Sequence, residues 1–215
     1  MIKIQGKLNR KVSIACSGGV DSMAIVDFLS RNHDCSLVFF DHGTETSAEA
    51  KEFLQDYVSD KNSRYWTTPT ATTLDLYIGE LSRKKEKSES WEEFWRNERY
   101  RYFRVYGEKL ITCHHLGDST ETWIWSSLHG KGKIIPYRNQ NVIRPFRLNH
   151  KSEFINWCRR HNVPWIEDSS NHDTRFMRNY IRKELVEKCL VVNPGLFKVI
   201  RKKVEEDYNN YKNSQ

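Results

Sequence analysis

The sequence lacks the features that mark disulfide-stapled, metal-knuckle and membrane-spanning proteins. Its five cysteines are widely spaced and include no C-x-x-C pair, so neither a zinc knuckle nor an iron–sulfur centre is predicted. No stretch approaches the roughly 20 apolar residues that a membrane-spanning helix needs, and the N-terminus has no long apolar run. We therefore expect free thiols in a reducing compartment and a soluble, cytoplasmic protein.

The composition is that of a folded, basic protein. Of the 215 residues, 38% are hydrophobic and 13% are aromatic, which supplies apolar material for a core that a disordered polyelectrolyte would lack. Lysine and arginine number 35 against 28 acidic residues, a formal charge of +7. This excess favours a polyanionic partner such as RNA, DNA or a nucleotide.

Strand and helix patterns alternate in the first part of the chain. A short apolar run over 11–15 is followed by a glycine-containing loop and by apolar residues at helical spacing. The pattern then predicts a strand at 35–40, a helix at 47–61 and a third strand at 64–67. This alternation indicates an α/β fold with a doubly wound parallel sheet.

The later part of the chain is predominantly helical. We interpret the polar and charged stretch 68–90 as a loop. Short strands are predicted at 110–112 and 142–143, and helices at 89–106, 119–128, 151–161, 173–190 and 196–208. The predicted organisation is a catalytic domain over 1–190 and a helical C-terminal extension over 191–215.

The loop after the first strand reads Ser17-Gly18-Gly19-Val20-Asp21-Ser22. Its two glycines allow a tight turn with exposed N–H groups at a helix N-terminus, which suits an anion such as phosphate. The spacing and lysine of a Walker A loop are absent. The pattern resembles the SGGxDS pyrophosphate loop of the N-type ATP pyrophosphatases; the alternative is an ordinary strand-to-helix turn with a serine cap.

Further motifs narrow this resemblance. They are Asp41-His-Gly43 with Ser47-Ala-Glu49, Trp95-Arg-Asn-Glu-Arg-Tyr100, His114-His-Leu-Gly-Asp-Ser-Thr-Glu-Thr122, Arg144-Pro145, Trp165-Ile-Glu-Asp-Ser-Ser-Asn171 and Arg178-Asn-Tyr-Ile-Arg182. Their order is similar to that of the tRNA(Ile)-lysidine synthetases, and the chain resembles a short form without the C-terminal domains. The resemblance implies adenylation of the wobble cytidine in an isoleucine tRNA with a CAU anticodon. Free lysine would then displace AMP.

The resemblance also implies an adenine nucleotide alpha hydrolase-like fold that binds ATP and Mg²⁺. The residues expected to contact ATP are Ser17, Gly18, Gly19, Val20, Asp21, Ser22, His42 and His114, with Asp21 holding Mg²⁺. Adjacent His114 and His115 at a strand end point to opposite sides, and the spacing supplies no further zinc ligands. For His42 the alternative is that it only closes a turn.

Two carboxylates are expected to share one helix face. Asp118 and Glu121 stand at i and i+3, and by resemblance they lie by the cytidine and lysine pocket, where they could hold the ammonium and accept a proton. The alternative is helix capping by Asp118 with Glu121 in the first turn. Arg96 is expected to line the lysine or phosphate side of this catalytic set, whereas we interpret Arg99 as part of a solvated helix face.

Two basic stretches are candidates for tRNA binding. The first contains Lys131, Lys133, Arg138, Arg144 and Arg147, interleaved with Tyr137 and Phe146, which suits phosphate contacts and base stacking. The second is a stripe of Arg175, Arg178 and Arg182 at helical spacing. A solvated charged face is the alternative for both.

Two other functions stay open at this point. One is another N-type pyrophosphatase, such as a tRNA 2-thiolating enzyme, which the missing C-x-x-C pair disfavours. The other is a catalytically inactive tRNA-binding relative, which the intact acidic and serine residues disfavour. The sequence departs from the lysidine synthetase pattern at His129-Gly-Lys-Gly132 and at Asp168-Ser-Ser-Asn171.

Overall fold

A mixed sheet with helices on both faces forms the centre of the molecule. The computed structural model describes residues 1–65, 73–167, 173–174 and 176–215, with Arg64 and Tyr65 described by their backbone. The strands are β1 (Lys11–Ala15), β2 (Asp34–Phe40), β3 (Asp75–Gly79), β4 (Leu110–Ile111), β5 (Arg138–Asn139) and β6 (Val142–Ile143). Their order is β3-β2-β1-β4-β6-β5, and all neighbours pair in parallel except β5 with β6. The predicted fold class is confirmed.

The helices follow the strands along the chain. They are α1 (Val20–Ser30), α2 (Glu45–Tyr65), α3 (Trp91–Tyr106), α4 (Leu116–Leu128), α5 (Lys151–His161), α6 (Met177–Tyr180), α7 (Val186–Val192) and α8 (Leu196–Asn213). A π-helical turn, Ile181–Leu185, joins α6 to α7. Within the described residues, no helix combines the length and apolarity that a membrane span requires.

Side chains alternate between the two faces of the sheet, as the pleat of a strand requires. Leu37 and Phe39 join the larger core, in which α1 and α5 also pack, whereas Val38 joins a second cluster with Phe103 of α3. In β4, Ile111 likewise joins the larger core and Leu110 joins the second cluster. Both faces of the central strands are therefore buried, which explains their continuous apolar sequences.

The sheet changes winding direction between β1 and β4. From β1 the chain proceeds to β2 and β3 on one side, and later to β4 and β6 on the other. The loops that leave β1 and β4 diverge at such a point, which opens a crevice at the carboxyl ends of the strands where ligands bind in doubly wound folds. The fold thus places the β1–α1 and β4–α4 loops side by side.

The C-terminal helices pack on α4. Ile200 and Val204 of α8 are fully buried in a cluster with Leu116 and Ile124 of α4. Fully buried Arg147 donates to Asp207 of α8, with 2.7 Å between Nη1 and Oδ2. The contacts tie 191–215 to the rest of the chain; the domain boundary at 190 stays a prediction.

Several sequence-based boundaries were wrong. The third strand is β3 at Asp75–Gly79. Residues 64–65 of the predicted strand 64–67 belong to α2, which contains no Gly or Pro, and 66–67 lie outside the described residues. β3 is an edge strand with alternating exposure, so its apolar signal is weak. The two-residue strand β5 was missed. The helix predicted from 173 begins instead at Met177.

Candidate active site

The glycine loop forms a turn that ends at an uncapped helix. Gly18 has a φ of +79°, a conformation that glycine adopts without strain, and Gly19 is the N-cap of α1 without a side-chain cap. The buried Ser22 hydroxyl donates to the Gly19 carbonyl at 2.9 Å and accepts from the Ser17 N–H at 3.3 Å. Ser22 therefore fixes the loop from within, while Ser17 is exposed.

The segment around Ile166, which is distant in sequence, packs on the glycine loop. The Ile166 N–H donates to the Gly18 carbonyl at 3.0 Å. A Cβ at Gly18 would lie only 3.1 Å from the Ile166 side chain, whereas a Cβ at Gly19 would approach only Ser17 Oγ, at 3.5 Å. The backbone is thus packed tightly at Gly18 and open at Gly19. The open side faces the first-turn N–H groups of α1, which lack intrahelical partners.

Asp21 stands in the first turn of α1 with a carboxylate that the described residues do not satisfy. Its Oδ1 is buried and has no hydrogen-bond partner among them. Its Oδ2 lies 3.9 Å from His115 Nε2 across the crevice. Burial raises the pKa of Asp21 above its ordinary value, and the Asp118 carboxylate adds to the rise while His115 opposes it.

The other side of the crevice is built by a capping box at the start of α4. The His115 N–H donates to Asp118 Oδ2 at 2.7 Å, and the Asp118 N–H donates to His115 Nδ1 at 3.2 Å. Because Nδ1 accepts a hydrogen bond, a neutral His115 carries its proton on Nε2, the atom nearest Asp21. The helix begins at Leu116 and not at 119 as predicted, so His115 is the cap and Asp118 stands at the third helical position. The alternative of Asp118 as the cap, with Glu121 in the first turn, was therefore wrong.

Two arginines from the C-terminal region neutralise the carboxylate pair. Arg178 donates from Nη2 to Asp118 Oδ1 at 2.9 Å and from Nε to Glu121 Oε2 at 3.0 Å. Arg182 donates to Glu121 Oε1 at 2.6 Å and to Oε2 at 3.1 Å. Arg182 lies in the π-helical turn, a feature often found at functional sites. With the His115 bond, all four carboxylate oxygens are engaged.

These ion pairs shift the protonation equilibria of the pair. Burial opposes ionisation of Asp118, but His115 and Arg178 outweigh it and hold the pKa of Asp118 well below its ordinary value. Although burial opposes it, the carboxylates raise the pKa of Arg178 and of Arg182. Arg178 and Arg182 are thus paired with the carboxylates, and their contact with tRNA stays a prediction.

A group of basic side chains surrounds Tyr100 beside this pair. The Arg96 guanidinium lies 5.1 Å from the Tyr100 ring centre, and Arg144 donates to the Tyr100 hydroxyl at 3.1 Å. Although burial opposes it, Arg144, Arg96 and Arg99 together lower the pKa of Tyr100. Arg99 is half-buried, and burial lowers its pKa, so the predicted solvated helix face describes it only in part.

The two remaining histidines predicted at the site occupy different parts of the sheet edge. Burial, with help from nearby arginines, lowers the pKa of His114 to about 3, so this residue is neutral near pH 7. Its Nδ1 lies 2.9 Å from the Thr112 hydroxyl. His42 follows β2 and packs between the rings of Phe40 and Trp95, at 5.0 and 5.9 Å. His115, not His114, approaches Asp21.

The first basic stretch divides into buried and exposed residues. Arg144 and Arg147 are 2% and 0% exposed and donate to the backbone carbonyls of Pro136 and Ile135. Tyr137 and Phe146 are also buried. The expectation that these four residues contact RNA was therefore wrong. Lys131, Lys133 and Arg138 are exposed, which leaves them accessible to a polyanion.

Some predicted residues lie outside the described part of the chain. These are Arg175 and the stretch 168–172, which includes Asn171. Sequence reasoning missed the role of His115 as the link between Asp21 and the carboxylate pair. The available signal was its position three residues before Asp118, which is the spacing of a capping box, although His is not a usual cap residue.

Comparisons with known proteins agree with this geometry. The family model described as a PP-loop domain matches residues 2–189. Among curated proteins, the tRNA(Ile)-lysidine synthase of Thermotoga maritima is 28% identical over 198 residues, covering 85% of this chain and 46% of that protein. The tRNA(Ile)-lysidine synthase of Thermosipho africanus is 27% identical over 217 residues, covering 92% and 48%. The chain thus spans about half the length of the curated relatives it matches.

A solved structure shares the fold. The U34-tRNA thiolase NcsA of Methanococcus maripaludis, with its [4Fe-4S] cluster, superposes with a TM-score of 0.67 at 14% sequence identity. The match covers 94% of this chain and 73% of that one. At this identity the likeness concerns the arrangement of strands and helices.

Proposed function

Since this chain belongs to the PP-loop domain family, we propose that it is an ATP-dependent tRNA-modifying ligase that forms lysidine. In the proposed reaction it adenylates the wobble cytidine of an isoleucine tRNA with a CAU anticodon and then replaces AMP with free L-lysine. The names of the relatives support a tRNA substrate. The geometry of the β1–β4 crevice supports two neighbouring sites, one for an anion and one for an amine.

One observation carries the proposal: an unsatisfied anion site and a carboxylate pair face each other across one crevice. The uncapped N-terminus of α1 suits the phosphates of ATP. Asp118 and Glu121 lie on the opposite side, where His115 donates its N–H to Asp118 and has its Nε2 3.9 Å from Asp21 Oδ2. A nucleotide on the first side and an amine on the second would meet at the target base.

Asp21 fits a magnesium ion that is held mainly by phosphates. Its buried Oδ1 has no hydrogen-bond partner in the described chain, and burial without a cation raises the pKa of its carboxyl. No group of three or more His, Cys, Asp or Glu residues among the described side chains could form a full metal cage. When bound, Mg²⁺ would neutralise developing phosphate charge.

In the first step, O2 of the cytidine attacks the α-phosphorus of ATP and pyrophosphate leaves. The backbone N–H groups after Gly19 would hold the phosphates while Ser22 keeps the loop in place. In the second step, the ε-amine of lysine attacks C2 and AMP leaves. The amine must first lose a proton, since an ammonium has no lone pair.

The carboxylate pair would orient this amine. Every oxygen of Asp118 and Glu121 already accepts a hydrogen bond, and we expect the lysine ammonium to displace an arginine contact. Arg178 and Arg182 are the exchangeable partners, because their side chains are 38% and 31% exposed whereas Glu121 is 4% exposed. A released guanidinium can then bind a phosphate of the substrate.

The cysteines disfavour the alternative of sulfur transfer. Cys16, Cys35 and Cys158 are buried free thiols, and burial raises the pKa of each. A thiolate nucleophile needs a lowered pKa and access to substrate. We therefore prefer lysine addition over 2-thiolation.

Mass spectrometry of nucleosides tests the proposed function. The protein is incubated with an isoleucine tRNA transcript, ATP, Mg²⁺ and isotopically labelled lysine, and the tRNA is digested. The expected product is a cytidine-derived nucleoside that carries the lysine label, with one pyrophosphate released per modification. A thiolated uridine in a parallel incubation with sulfide as sulfur donor, or no modified nucleoside from a protein that binds ATP, would refute the proposal.

A further inference from the structure

A second groove lies beside the crevice and is unused by the proposed chemistry. It has a volume of about 390 Å³ and lies between the segment after β3 and the first turn of α3. Its lining consists of Leu81, Arg83, Lys84, Lys85, Trp91 and Phe94. Three of these side chains are cationic, two are aromatic and none is acidic. Glu92 and Glu93 follow Trp91 in the sequence but do not line the groove.

The wall of the groove is fixed by an ion-pair network. Arg83 donates to both carboxylate oxygens of Glu89, at 2.6 and 2.8 Å, and lies 3.4 Å from Glu98 Oε1. Its guanidinium stacks on Phe94, 4.9 Å from the ring centre. Arg83 is therefore a structural cation whose charge is already balanced.

The other two cationic residues of the lining are Lys84 and Lys85. Lys85 donates to the backbone carbonyls of Glu86 and Glu89, at 2.9 and 2.7 Å, and its ammonium lies 5.4 Å from the Trp91 ring centre. Lys84 is exposed and forms no ion pair with a described residue. Lys84 and Lys85 thus contribute two ammonium groups to the groove lining, and Lys85 also interacts with the Glu89 carboxylate, which Arg83 already pairs.

Trp91 connects the groove to the crevice. It is 54% exposed, and its ring lies 5.3 Å from that of Trp95, tilted by 35°. Trp95 in turn contacts His42 at the end of β2. A Cβ at Gly43, next to His42, would lie 3.5 Å from Leu81 in the groove lining. These contacts place the groove next to the end of β2, at the sheet edge where ATP is proposed to bind.

We propose that this groove binds one nucleotide of single-stranded RNA, next to the nucleotide that is modified. The base would stack on Trp91, and the phosphate would contact Lys84 and Lys85. Exposed aromatic rings in a cationic groove are how proteins hold unpaired nucleotides, whose flat bases stack irrespective of sequence. That the RNA is the anticodon loop of a tRNA rests on the proposed function.

Binding measurements with two RNAs test this site. The probes are a synthetic anticodon stem-loop with a CAU anticodon and an unstructured oligouridylate, each titrated by fluorescence anisotropy. Loss of one stacked base in Trp91→Ala should weaken binding of both probes by on the order of tenfold. Trp91→Phe, which keeps an aromatic face, should recover most of the affinity.

A matched aromatic control lies at the other end of α3. Tyr77 is 45% exposed and contacts Tyr106, the last residue of the helix. Tyr77→Ala should bind both probes as the parent does. For the charge, Lys84→Ala should reduce the slope of log affinity against log salt by about 0.7, whereas Lys202→Ala, an exposed lysine on α8, should leave it unchanged.

The outcomes separate this site from the proposed function. Parental affinity in Trp91→Ala, or no RNA binding by the parent, would overturn the groove proposal, and in the second case a protein partner becomes the better occupant. Trp91-dependent RNA binding without lysine incorporation would leave the groove proposal standing and refute the proposed reaction. If Trp91→Ala incorporates lysine as the parent does and binds RNA with parental affinity, the proposed reaction stands and the groove proposal is refuted.

Discussion

The two sides of the crevice differ in how their charges are compensated. On the β1 side, α1 begins without a side-chain cap, and Asp21 keeps a buried oxygen without a hydrogen-bond partner in the described chain. On the β4 side, α4 begins with a capping box, and every oxygen of Asp118 and Glu121 is bonded. Polar groups on the β1 side therefore lack partners among the described residues, whereas the carboxylates on the β4 side are paired with arginines.

This difference assigns the two sides different parts in binding and catalysis. A carboxylate with a buried oxygen that lacks a hydrogen-bond partner costs folding free energy, so a ligand that supplies positive charge there gains binding free energy. Removing a partner from a neutralised buried carboxylate pair destabilises the fold, so binding of a new ammonium there competes with the existing arginine contacts. The β1 side should therefore control nucleotide binding, and the β4 side should control both stability and the second substrate.

The largest expected effect is on the β1 side. Asp21→Ala should lower the rate of AMP transfer by on the order of 100- to 1000-fold, because a lost metal ligand removes several kcal/mol of transition-state stabilisation. Pyrophosphate release with tRNA measures this rate. Asp56→Ala, which removes an exposed carboxylate from α2, is the matched control and should retain full activity. An Asp21→Ala variant as active as the parent would contradict the assignment.

A smaller effect is expected on the β4 side, and on a different step. Glu121→Gln should slow lysine attack by about 100-fold, within the range of lost acid–base or charge assistance, while cytidine adenylation is spared. Adenylated tRNA should then accumulate in a single-turnover experiment. Equal loss of both steps would show that Glu121 serves the architecture or the first step.

Stability against pH should show opposite signs for the two sides. Burial raises the folded pKa of Asp21 above its ordinary 3.8, so its ionisation destabilises the fold as the pH rises from 3.8 through the raised pKa. Asp21→Asn removes that loss and should be at least as stable as the parent at pH 7. The folded pKa of Asp118 is lowered, so its contribution is present above 3.8 and is lost as the pH falls through the folded value.

Denaturant titrations measure this contrast. Asp118→Asn should lose about 1–3 kcal/mol at pH 7, the cost of unpairing hydrogen-bonded charges, and its difference from the parent should shrink below pH 3.8. Equal destabilisation by both substitutions at pH 7 would remove the distinction between the two sides.

The smallest effect concerns the exposed lysines after α4. Replacing Lys131 and Lys133 together with alanine should flatten the salt slope of tRNA affinity by about 1–2 units if both contact phosphates. ATP binding should persist, because the glycine loop follows a different strand. Filter binding across a salt series measures the slope, and an unchanged slope would make these lysines part of a solvated face.

The features predicted correctly from the sequence are those that depend on residues close together in the chain. The strand β1 and the following loop and helix occupy one continuous stretch with a strong apolar signal, so their bounds were nearly correct. The side-by-side position of Asp118 and Glu121 follows from helical spacing alone. The edge strand β3 was missed because one side of it is exposed and a polar stretch surrounds it.

Contacts between distant segments could not be predicted. The pairing of Arg178 and Arg182 with the carboxylates joins residues about sixty positions apart. Likewise, Arg147 was predicted to be a surface cation, but it is buried and donates hydrogen bonds to Asp207 and to a backbone carbonyl. A basic side chain looks the same in sequence whether it faces RNA or an internal carboxylate.

Thermal unfolding with and without ATP and Mg²⁺ tests the contrast between the two sides most directly. The parent, Asp21→Asn and Asp118→Asn are compared at pH 7. We expect ATP with Mg²⁺ to raise the midpoint of the parent and of Asp118→Asn, although the latter starts lower. Asp21→Asn should start at or above the parent and show little rise. A rise in Asp21→Asn equal to that of the parent, or a lower starting midpoint, would contradict the account.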